Sequence, residues 1–277
     1  MSARSNSPSS SQPLVALRGV GRSFTNGVTA LEDFDLDIRP GEFLSLLGPS
    51  GCGKSTALRV ISGLSAPSRG TVQWADGLGA KAHGIGFVFQ EPTLMPWATV
   101  FGNVHLPLRL AGVERRAAAP RVMEALAGVG LADAATAYPR ELSGGMKMRV
   151  SIARALVTEA RLLLMDEPFA ALDEITRFRL NDDLLDLWQG LGKTVVFVTH
   201  SVFESVYLST RIVVMTPRPG RVFNELAIEA PTRRDERFRT SAEYIGTCRL
   251  VSDALARAMT APAGAAAAIP ARQGGAP

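Results

Sequence analysis

"GPSGCGKST", Gly48 to Thr56, is a glycine-rich segment whose residue spacing predicts the fold class. Gly48, Gly53, Lys54 and Ser55 fit the pattern G-x-x-x-x-G-K-[ST], between an apolar run typical of a buried strand and a helical pattern. Glycines at this spacing let backbone N–H groups converge on phosphate oxygens, and the N-terminus of the following helix adds its dipole. The sequence therefore predicts a phosphate-binding loop inside an α/β fold.

The side chains of this loop predict which parts of a nucleotide it binds. Lys54 should reach the β- and γ-phosphates, and Ser55 should ligate Mg²⁺. The residues expected to bind nucleotide, together called the phosphate loop, are Gly48, Pro49, Ser50, Gly51, Cys52, Gly53, Lys54, Ser55 and Thr56. Cys52 lies beside N–H groups that favour a thiolate, so we expect its alkylation to inhibit and bound nucleotide to protect it; an inert buried thiol is the alternative.

Continuous apolar runs predict the buried parallel strands of the same sheet. They are EFLSLLG, IGFVFQ, RLLLMDE, TVVFVTH and RIVVMT, which begin at residues 42, 85, 161, 194 and 211. Helical patterns, KSTALRVISG and TRFRLNDDLLDLWQGLG among them, separate several of these runs. Two earlier segments, LVALRGVGRSF from residue 14 and LEDFDLDIRPGE from residue 31, predict a separate antiparallel β lobe.

Composition changes along the chain predict its domain organisation. A stretch rich in Ala, Leu and Arg, with no clear strand, predicts an inserted helical subdomain at about 91–160, its helices broken at Pro107, Pro120 and Pro139. The nucleotide-binding domain as a whole should span 14–240, with a C-terminal helical extension at 241–260. The Ser-rich residues 1–12 and the Ala-, Gly- and Pro-rich residues 261–277 are expected to be disordered.

The overall composition excludes several classes of protein. With 46% apolar residues the chain can bury a core, and a net charge of +4 without a long basic run gives no reason to expect nucleic acid. Two cysteines are too few for a disulfide framework, which favours a cytosolic chain. No segment approaches the ~20 apolar residues of a membrane span, and the first residues lack the apolar core of a secretory signal. Any membrane role should therefore come through a partner.

The segment LLLMDEP places Asp166 and Glu167 where a buried strand meets solvent. In open α/β sheets ligands bind at this end of the strands. We expect Asp166 to hold the Mg²⁺ shell and Glu167 to orient or deprotonate the attacking water. A strand-end acidic pair by itself is more often a cap or a solvated turn, but the phosphate loop favours the metal-site interpretation.

A second anion site follows in LSGGMKMRVSIARAL, Leu142 to Leu156. Ser143 is placed to cap a helix, and Gly144 and Gly145 let a ligand approach the helix N-terminus. The phosphate loop already cradles one nucleotide completely, so this second site raises the question of what it binds.

The order of the motifs answers this question, because the chain resembles the ATP-binding subunit of an ABC transporter over roughly residues 14–222. The motifs are GPSGCGKST, FVFQEP, LSGGM, LLLMDEP, AALD and FVTHS. The resemblance implies a P-loop NTPase of the ABC ATPase fold, with an antiparallel β lobe and an inserted helical subdomain. It also implies that two subunits pack head to tail, so that each ATP lies between one phosphate loop and the partner's LSGGM segment.

The resemblance also implies roles for individual residues. Phe24 would stack on adenine, and Gln90 would contact Mg²⁺ or the attacking water. Ser143 and Gly145, with Gly144 between them, would hold the partner's ATP. His200 would contact the γ-phosphate. The catalytic residues would therefore be Glu167, His200, Lys54 and Gln90. Asp173 would communicate across the dimer. The metal ligands would be Ser55, Gln90 and Asp166.

Three positions depart from the family's common pattern. Met146 stands where Gln is common, Ala170 where Ser often occurs, and Ser201 where Asp often follows the histidine. None of these changes removes a predicted phosphate or metal ligand. The segments PTLMPWATVFGNV, LSGGMKMR and MTPRPGRV are similar to those of importers of nitrate, sulfonates, taurine or pyrimidine thiamin precursors.

The leading prediction is therefore an ATPase that energises import of a small solute at the cytoplasmic face of the membrane. Its partners would be a second copy of itself, a separate membrane permease and, indirectly, a solute-binding protein, with ATP and Mg²⁺ as cofactors. A soluble ABC ATPase acting on ribosomes or nucleic acid is the alternative, although neither tandem cassettes nor a long coiled-coil insertion is present. A P-loop small-molecule kinase would leave LSGGM and His200 unexplained.

Trp97 in PTLMPWATV is predicted to be either a permease contact or part of the insertion's core.

Overall fold

The computed structural model describes residues 12–75 and 84–261. Apart from Gln12 and Ala261, the two termini predicted to be disordered lie outside the described residues. Within the described ranges, no helix has the length and apolar character needed to cross a bilayer.

Strands and helices alternate along most of the chain. The strands are β1 Val15–Ser23, β2 Thr29–Ile38, β3 Phe43–Leu47, β4 Arg69–Trp74, β5 Ile85–Val88, β6 Leu162–Asp166, β7 Thr194–Thr199, β8 Arg211–Met215 and β9 Val222–Ala227. The helices are α1 Lys54–Ile61, α2 Val100–Leu110, α3 Arg115–Gly128, α4 Gly144–Leu156, α5 Glu174–Leu191, α6 Val202–Leu208, α7 Glu236–Arg239 and α8 Ala242–Thr260.

The central sheet has the order β5-β6-β7-β3-β8-β9. Its first five strands are parallel, and β9 pairs antiparallel with β8 at one edge. All positions of β3, β7 and β8 are buried. This burial explains the continuous apolar runs that predicted these strands, because helices or the second sheet cover both faces.

The antiparallel β lobe is a second sheet with the order β2-β1-β4. Phe34, Leu36 and Ile38 alternate on the buried face of β2, as the sequence pattern predicts. The sequence did not predict β4 or β9, whose positions are mostly exposed or half-buried. Such strands are specified by pairing with a neighbour rather than by an apolar pattern.

Helices α2, α3 and α4 form the insertion, and this stretch contains no strand, as predicted. The predicted breaks at Pro107 and Pro120 are wrong, because these prolines lie inside α2 and α3. Each removes one backbone N–H donor. In α3, Val122 and Leu126 follow Pro120 and are buried, and this packing stabilises the helix beyond the proline. Pro139 does mark a break, since it begins a short 3₁₀ turn.

The C-terminal helix α8 occupies the range predicted for the extension. Ser241 caps it by accepting a hydrogen bond from the N–H of Tyr244 at 3.1 Å. Tyr244, Cys248 and Val251 are buried, and the Tyr244 hydroxyl donates to the carbonyl oxygen of Phe203 in α6 at 2.9 Å. The extension therefore packs against the helix that follows the segment FVTHS.

Candidate functional site

The carboxyl ends of four neighbouring parallel strands bring the predicted site residues to one edge of the central sheet. The phosphate loop follows β3, Glu167 follows β6 and His200 follows β7. Gln90 follows β5, the strand next to β6, and its side chain is exposed. This edge is where open α/β sheets bind ligands.

Lys54 lies beneath the phosphate loop and is only 4% exposed. Its ammonium donates to the carbonyl oxygens of Gly48 at 2.8 Å and Pro49 at 3.0 Å. The same Nζ lies 3.6 Å from Oε1 of Glu167. Burial of a cation at the base of a glycine-containing loop provides the positive charge that phosphate groups need.

Ser55 and Asp166 form the oxygen pair predicted to hold a metal ion. The hydroxyl of Ser55 donates to Oδ1 of Asp166 at 2.8 Å, and burial raises the pKa of that carboxyl above its ordinary value. Mg²⁺ usually binds through one or two protein oxygens, with water and substrate phosphates completing the shell. The donor set therefore fits Mg²⁺.

Glu167 connects the buried cation to the histidine. Its Oε2 lies 3.2 Å from Nδ1 of His200, and its N–H donates to the carbonyl oxygen of Val198 at 3.0 Å. Its side chain is 20% exposed and that of His200 is 52% exposed. One carboxylate thus lies between a buried ammonium and an imidazole, at the point where solvent reaches the sheet edge.

Cys52 does not have the environment predicted for a reactive thiolate. The side chain is buried, and this burial raises the pKa of the thiol despite the nearby charge of Lys54. Ser50 and Gly51, in contrast, are exposed at the tip of the loop. The expectation of a thiolate is therefore wrong: loss of solvation outweighs attraction to the lysine, and the alternative of an inert buried thiol fits the structure.

The LSGGM segment lies away from the phosphate loop, against the start of α5. Ser143 caps α4 by accepting a hydrogen bond from the N–H of Met146 at 3.3 Å, and both Ser143 and Gly144 are exposed. A Cβ atom on Gly145 would lie 2.9 Å from Cγ2 of Thr176, so only glycine allows this approach. Among the described residues, no hydrogen bond or ion pair joins Ser143, Gly144 or Gly145 to the phosphate loop.

Two further predicted site residues lie at element ends. Asp173 caps α5 by accepting a hydrogen bond from the N–H of Thr176 at 2.9 Å, and this bond lowers the pKa of its carboxyl. Phe24 follows β1 and is 39% exposed, with the guanidinium of Arg22 5.1 Å from the ring centroid. An exposed aromatic ring of this kind is free to stack on a planar ligand.

The residues that form this site lie largely within a region that matches a known protein family. Residues 31–170, half of the chain, match the ABC transporter family. The chain belongs to the ABC transporter family. It is an ATP-binding subunit of that family, with the ATPase activity that drives transport.

Similar proteins support membership of the ABC transporter family over most of the length of this chain. An uncharacterised ABC transporter ATP-binding protein of Methanocaldococcus jannaschii is 48% identical over 79% of this chain and 82% of its own. The aliphatic sulfonates import ATP-binding protein SsuB of Bacillus subtilis is 44% identical over 78% of this chain and 83% of its own. The taurine import ATP-binding protein TauB of Rhizobium johnstonii is 48% identical over 70% of this chain and 75% of its own.

Solved ABC cassettes share the fold. The dimeric structure of the bacterial ABC transporter cassette MJ0796 is 34% identical, with a TM-score of 0.67, and covers 78% of this chain and 100% of its own. Its post-hydrolysis state, bound to ADP and Pi, is 35% identical with the same TM-score over the same shares of the two chains.

The ABC subunit also contains contacts to the phosphate loop that sequence reasoning missed. Arg218 donates to the carbonyl oxygen of Gly51 at 3.1 Å, and Gly220, held by a bond from its N–H to Ala30 in β2, lies against Cys52. A Cβ atom on Gly220 would lie 2.1 Å from the carbonyl oxygen of Cys52, which makes glycine necessary there. The sequence signal for this approach is the turn sequence PRPG, Pro217 to Gly220.

Proposed function

We propose that this ABC subunit energises the uptake of a small sulfonate, with taurine as one candidate, through a separate permease. Relatives named as sulfonate and taurine import proteins support this solute class. The resemblance of three segments to importers of nitrate, sulfonates, taurine or pyrimidine precursors supports the wider group to which these solutes belong. Nitrate and pyrimidine precursors remain the alternatives within the same group.

The position of Glu167 carries the proposed chemistry. Its carboxylate lies within 3.6 Å of the Lys54 ammonium and 3.2 Å of the His200 imidazole, beside the pair formed by Ser55 and Asp166. Glu167 would orient the attacking water and accept its proton, while His200 would hold Glu167 in place and contact the γ-phosphate. Ser55, Asp166 and Gln90 would hold Mg²⁺, which when bound neutralises phosphate charge.

A second copy of the chain would complete each ATP site. Ser143 and Gly144 are exposed at the N-terminus of α4. The contacts of this terminus are with Leu172 and Thr176 rather than with the chain's own phosphate loop. Such a terminus binds anions through its N–H groups and dipole. The γ-phosphate bound to a partner's phosphate loop would be that anion, and a related cassette has a dimeric structure. ATP would then join the two subunits, and hydrolysis would release them.

Trp97 supplies a candidate contact for the permease. It is 76% exposed, so it is not part of the insertion's core. The loop that carries it is held rigidly, because the buried Asn103 side chain binds the backbone at Met95, Ala98 and Thr99. A large aromatic side chain on a fixed loop is the type of residue that dominates binding energy at interfaces. The complex would hold the subunit at the cytoplasmic face of the membrane.

The experiment that tests the solute is transport by the reconstituted complex. The subunit, the permease encoded nearest to its gene and the adjacent solute-binding protein would be purified together and placed in vesicles. We expect ATP hydrolysis and solute uptake to rise together with an alkyl sulfonate or taurine, and not with nitrate. Stimulation by nitrate or a pyrimidine alone would refute the sulfonate assignment, and the absence of ATP hydrolysis would refute the proposed chemistry.

A further inference from the structure

An ion pair outside the predicted site joins the segment before α5 to the helix after His200. Arg177 in α5 donates from Nη2 to the carbonyl oxygen of Leu172 at 3.1 Å. Its Nε lies 3.4 Å from Oε1 of Glu204 in α6. Leu172 belongs to the AALD segment, Ala170 to Asp173, so one guanidinium holds that segment and α6 together.

Glu204 in turn fixes the backbone on both sides of His200. Its Oε2 accepts a hydrogen bond of 2.6 Å from the hydroxyl of Thr199, and that hydroxyl accepts one of 3.0 Å from the N–H of Ser201. The hydroxyl of Ser201 accepts a bond of 3.2 Å from the N–H of Glu204. His200 therefore lies between Thr199, which donates to the Glu204 carboxylate, and Ser201, which bonds to the Thr199 hydroxyl and to the backbone N–H of Glu204.

The other end of this chain of contacts reaches the LSGGM segment. The side chain of Leu172 packs against Gly144, and Thr176, one residue before Arg177, packs against Gly145. The contacts thus run from Gly144 through Leu172 and Arg177 to Glu204 and His200. Glu204 is only 7% exposed, and a buried carboxylate destabilises the protein unless it is paired. Loss of Arg177 should therefore disturb the position of Glu204.

We propose that the Arg177–Glu204 ion pair couples the two nucleotide sites of the dimer. This inference rests on the proposed function, in which the LSGGM segment serves the partner's ATP while His200 serves the chain's own. When a partner's nucleotide moves Gly144 and Leu172, Arg177 transmits the shift to Glu204 and thus to the backbone of His200. Arg177 and Glu204 are positioning residues: they act through His200 and touch no reacting atom.

The test compares two variants of the full-length chain with a matched control. Arg177→Met removes the guanidinium, and Glu204→Gln removes the charge while keeping the shape and an acceptor for Thr199. The control is Arg239→Met, which removes another ion pair of α5, the one between Arg239 and Asp182 at 2.6 Å. For each variant, kcat, KM, the Hill coefficient for ATP and the melting temperature would be measured.

Misplacement of a catalytic group by a distant mutation can cost about 100-fold in rate, so we expect kcat to fall about tenfold or more in either variant, because the backbone of His200 loses its support. The Hill coefficient should fall toward 1, while the affinity for ATP in a binding assay stays within about threefold of wild type. The double variant should lose no more than the more impaired single variant, since both changes break one link. The Arg239→Met control should keep its kcat and Hill coefficient.

Three results would overturn the proposal. They are additive losses in the double variant, an unchanged Hill coefficient in Glu204→Gln, and a loss of kcat in Arg239→Met equal to that in Arg177→Met. If Arg177→Met does not fold, Glu204→Gln alone decides through its Hill coefficient. A wild-type protein that does not hydrolyse ATP would instead refute the proposed function, which keeps the two failures distinguishable.

Discussion

Glu167 adopts a backbone conformation that residues other than glycine rarely use. Its φ is 45°, in the left-handed region, where such strain costs roughly 1–3 kcal/mol. The hydrogen bond from its N–H to Val198 and the turn closed by the N–H of Ala170 on the Glu167 carbonyl, at 3.2 Å, hold it there. The strained backbone places the carboxylate between Lys54 and His200.

The Glu167→Gln variant tests the role of this carboxylate. The amide keeps the shape but cannot accept a proton, so we expect ATP hydrolysis to fall by about 10² or more, the scale of general-base catalysis, while ATP binding persists. Steady-state hydrolysis and equilibrium binding of a labelled ATP would be measured. Glu124→Gln, at an exposed position of α3, is the control and should behave as wild type. Hydrolysis retained in Glu167→Gln would contradict the assignment.

The buried thiols should react slowly in the native protein. Burial raises the pKa of Cys52 and of Cys248, so the reactive thiolate is scarcer at neutral pH than for a free cysteine. We expect maleimide labelling near pH 7 to be slow for both and to accelerate as the pH rises above 9, whereas the unfolded chain labels quickly. Labelling followed by mass spectrometry would check this. Rapid labelling of Cys52 at pH 7, blocked by ATP, would instead support a thiolate.

At the scale of the element, helices α2 and α3 continue through prolines because packing outweighs the lost hydrogen bond. Val100, Val104 and Leu108 recur every four residues in α2 and are all buried. Burying such side chains contributes roughly 1.5–3 kcal/mol each, against about 3 kcal/mol for an interior proline. Local rules for proline therefore mark a probable boundary, and burial decides whether the helix stops there.

Replacing Pro120 should stabilise α3. Pro120 is exposed, and an alanine would restore the N–H that can donate to the carbonyl oxygen of Arg116. We expect Pro120→Ala to raise the free energy of unfolding by up to about 3 kcal/mol, measured by thermal or urea unfolding. Pro139→Ala is the contrasting variant: Pro139 is buried at the first position of a 3₁₀ turn, where no donor is needed, so its replacement should give no gain. Equal effects of the two substitutions would contradict this account of α3.

At the scale of the whole molecule, the separation of the LSGGM segment from the phosphate loop is the basis for the proposed ATP site shared between two subunits. We expect the Glu167→Gln protein to form dimers with ATP and Mg²⁺, and Ser143→Arg in that background to prevent them by filling the exposed helix N-terminus. Light scattering after size exclusion would measure the mass. Arg140→Ala, a change just before the segment, is the control and should preserve the dimer. Dimers that form equally without ATP, or despite Ser143→Arg, would refute the shared site.

Trp97 should matter only when the permease is present. Because it is 76% exposed, Trp97→Ala should leave the melting temperature and the ATPase activity of the isolated subunit unchanged. Loss of an interface hot spot costs about 2 kcal/mol or more, so binding to the permease should weaken roughly 30-fold. Pull-down of the complex and transport in vesicles would be measured, with Leu110→Ala, another exposed apolar change, as the control. Normal assembly of the Trp97→Ala complex would refute the contact.

Local patterns in the sequence predicted where the proposed site residues and the buried strands lie. Phosphate binding needs glycines, a lysine and a hydroxyl at fixed spacing, and strands buried on both faces need continuous apolar runs, so both leave local patterns. The five parallel strands, the phosphate loop and the acidic pair at the end of β6 were accordingly predicted close to where the structure has them.

Only the tertiary structure decided which residues meet across large sequence separations. Arg218 and Gly220 approach the phosphate loop, Arg177 pairs with Glu204, and burial sets the pKa of Cys52, because the order of the strands in the sheet brings distant segments together. The same holds for the edge strands β4 and β9 and for the helices through Pro107 and Pro120. Pairing between distant segments and the burial of an individual side chain such as Cys52 are properties of the folded chain, and the local pattern of residues does not specify them.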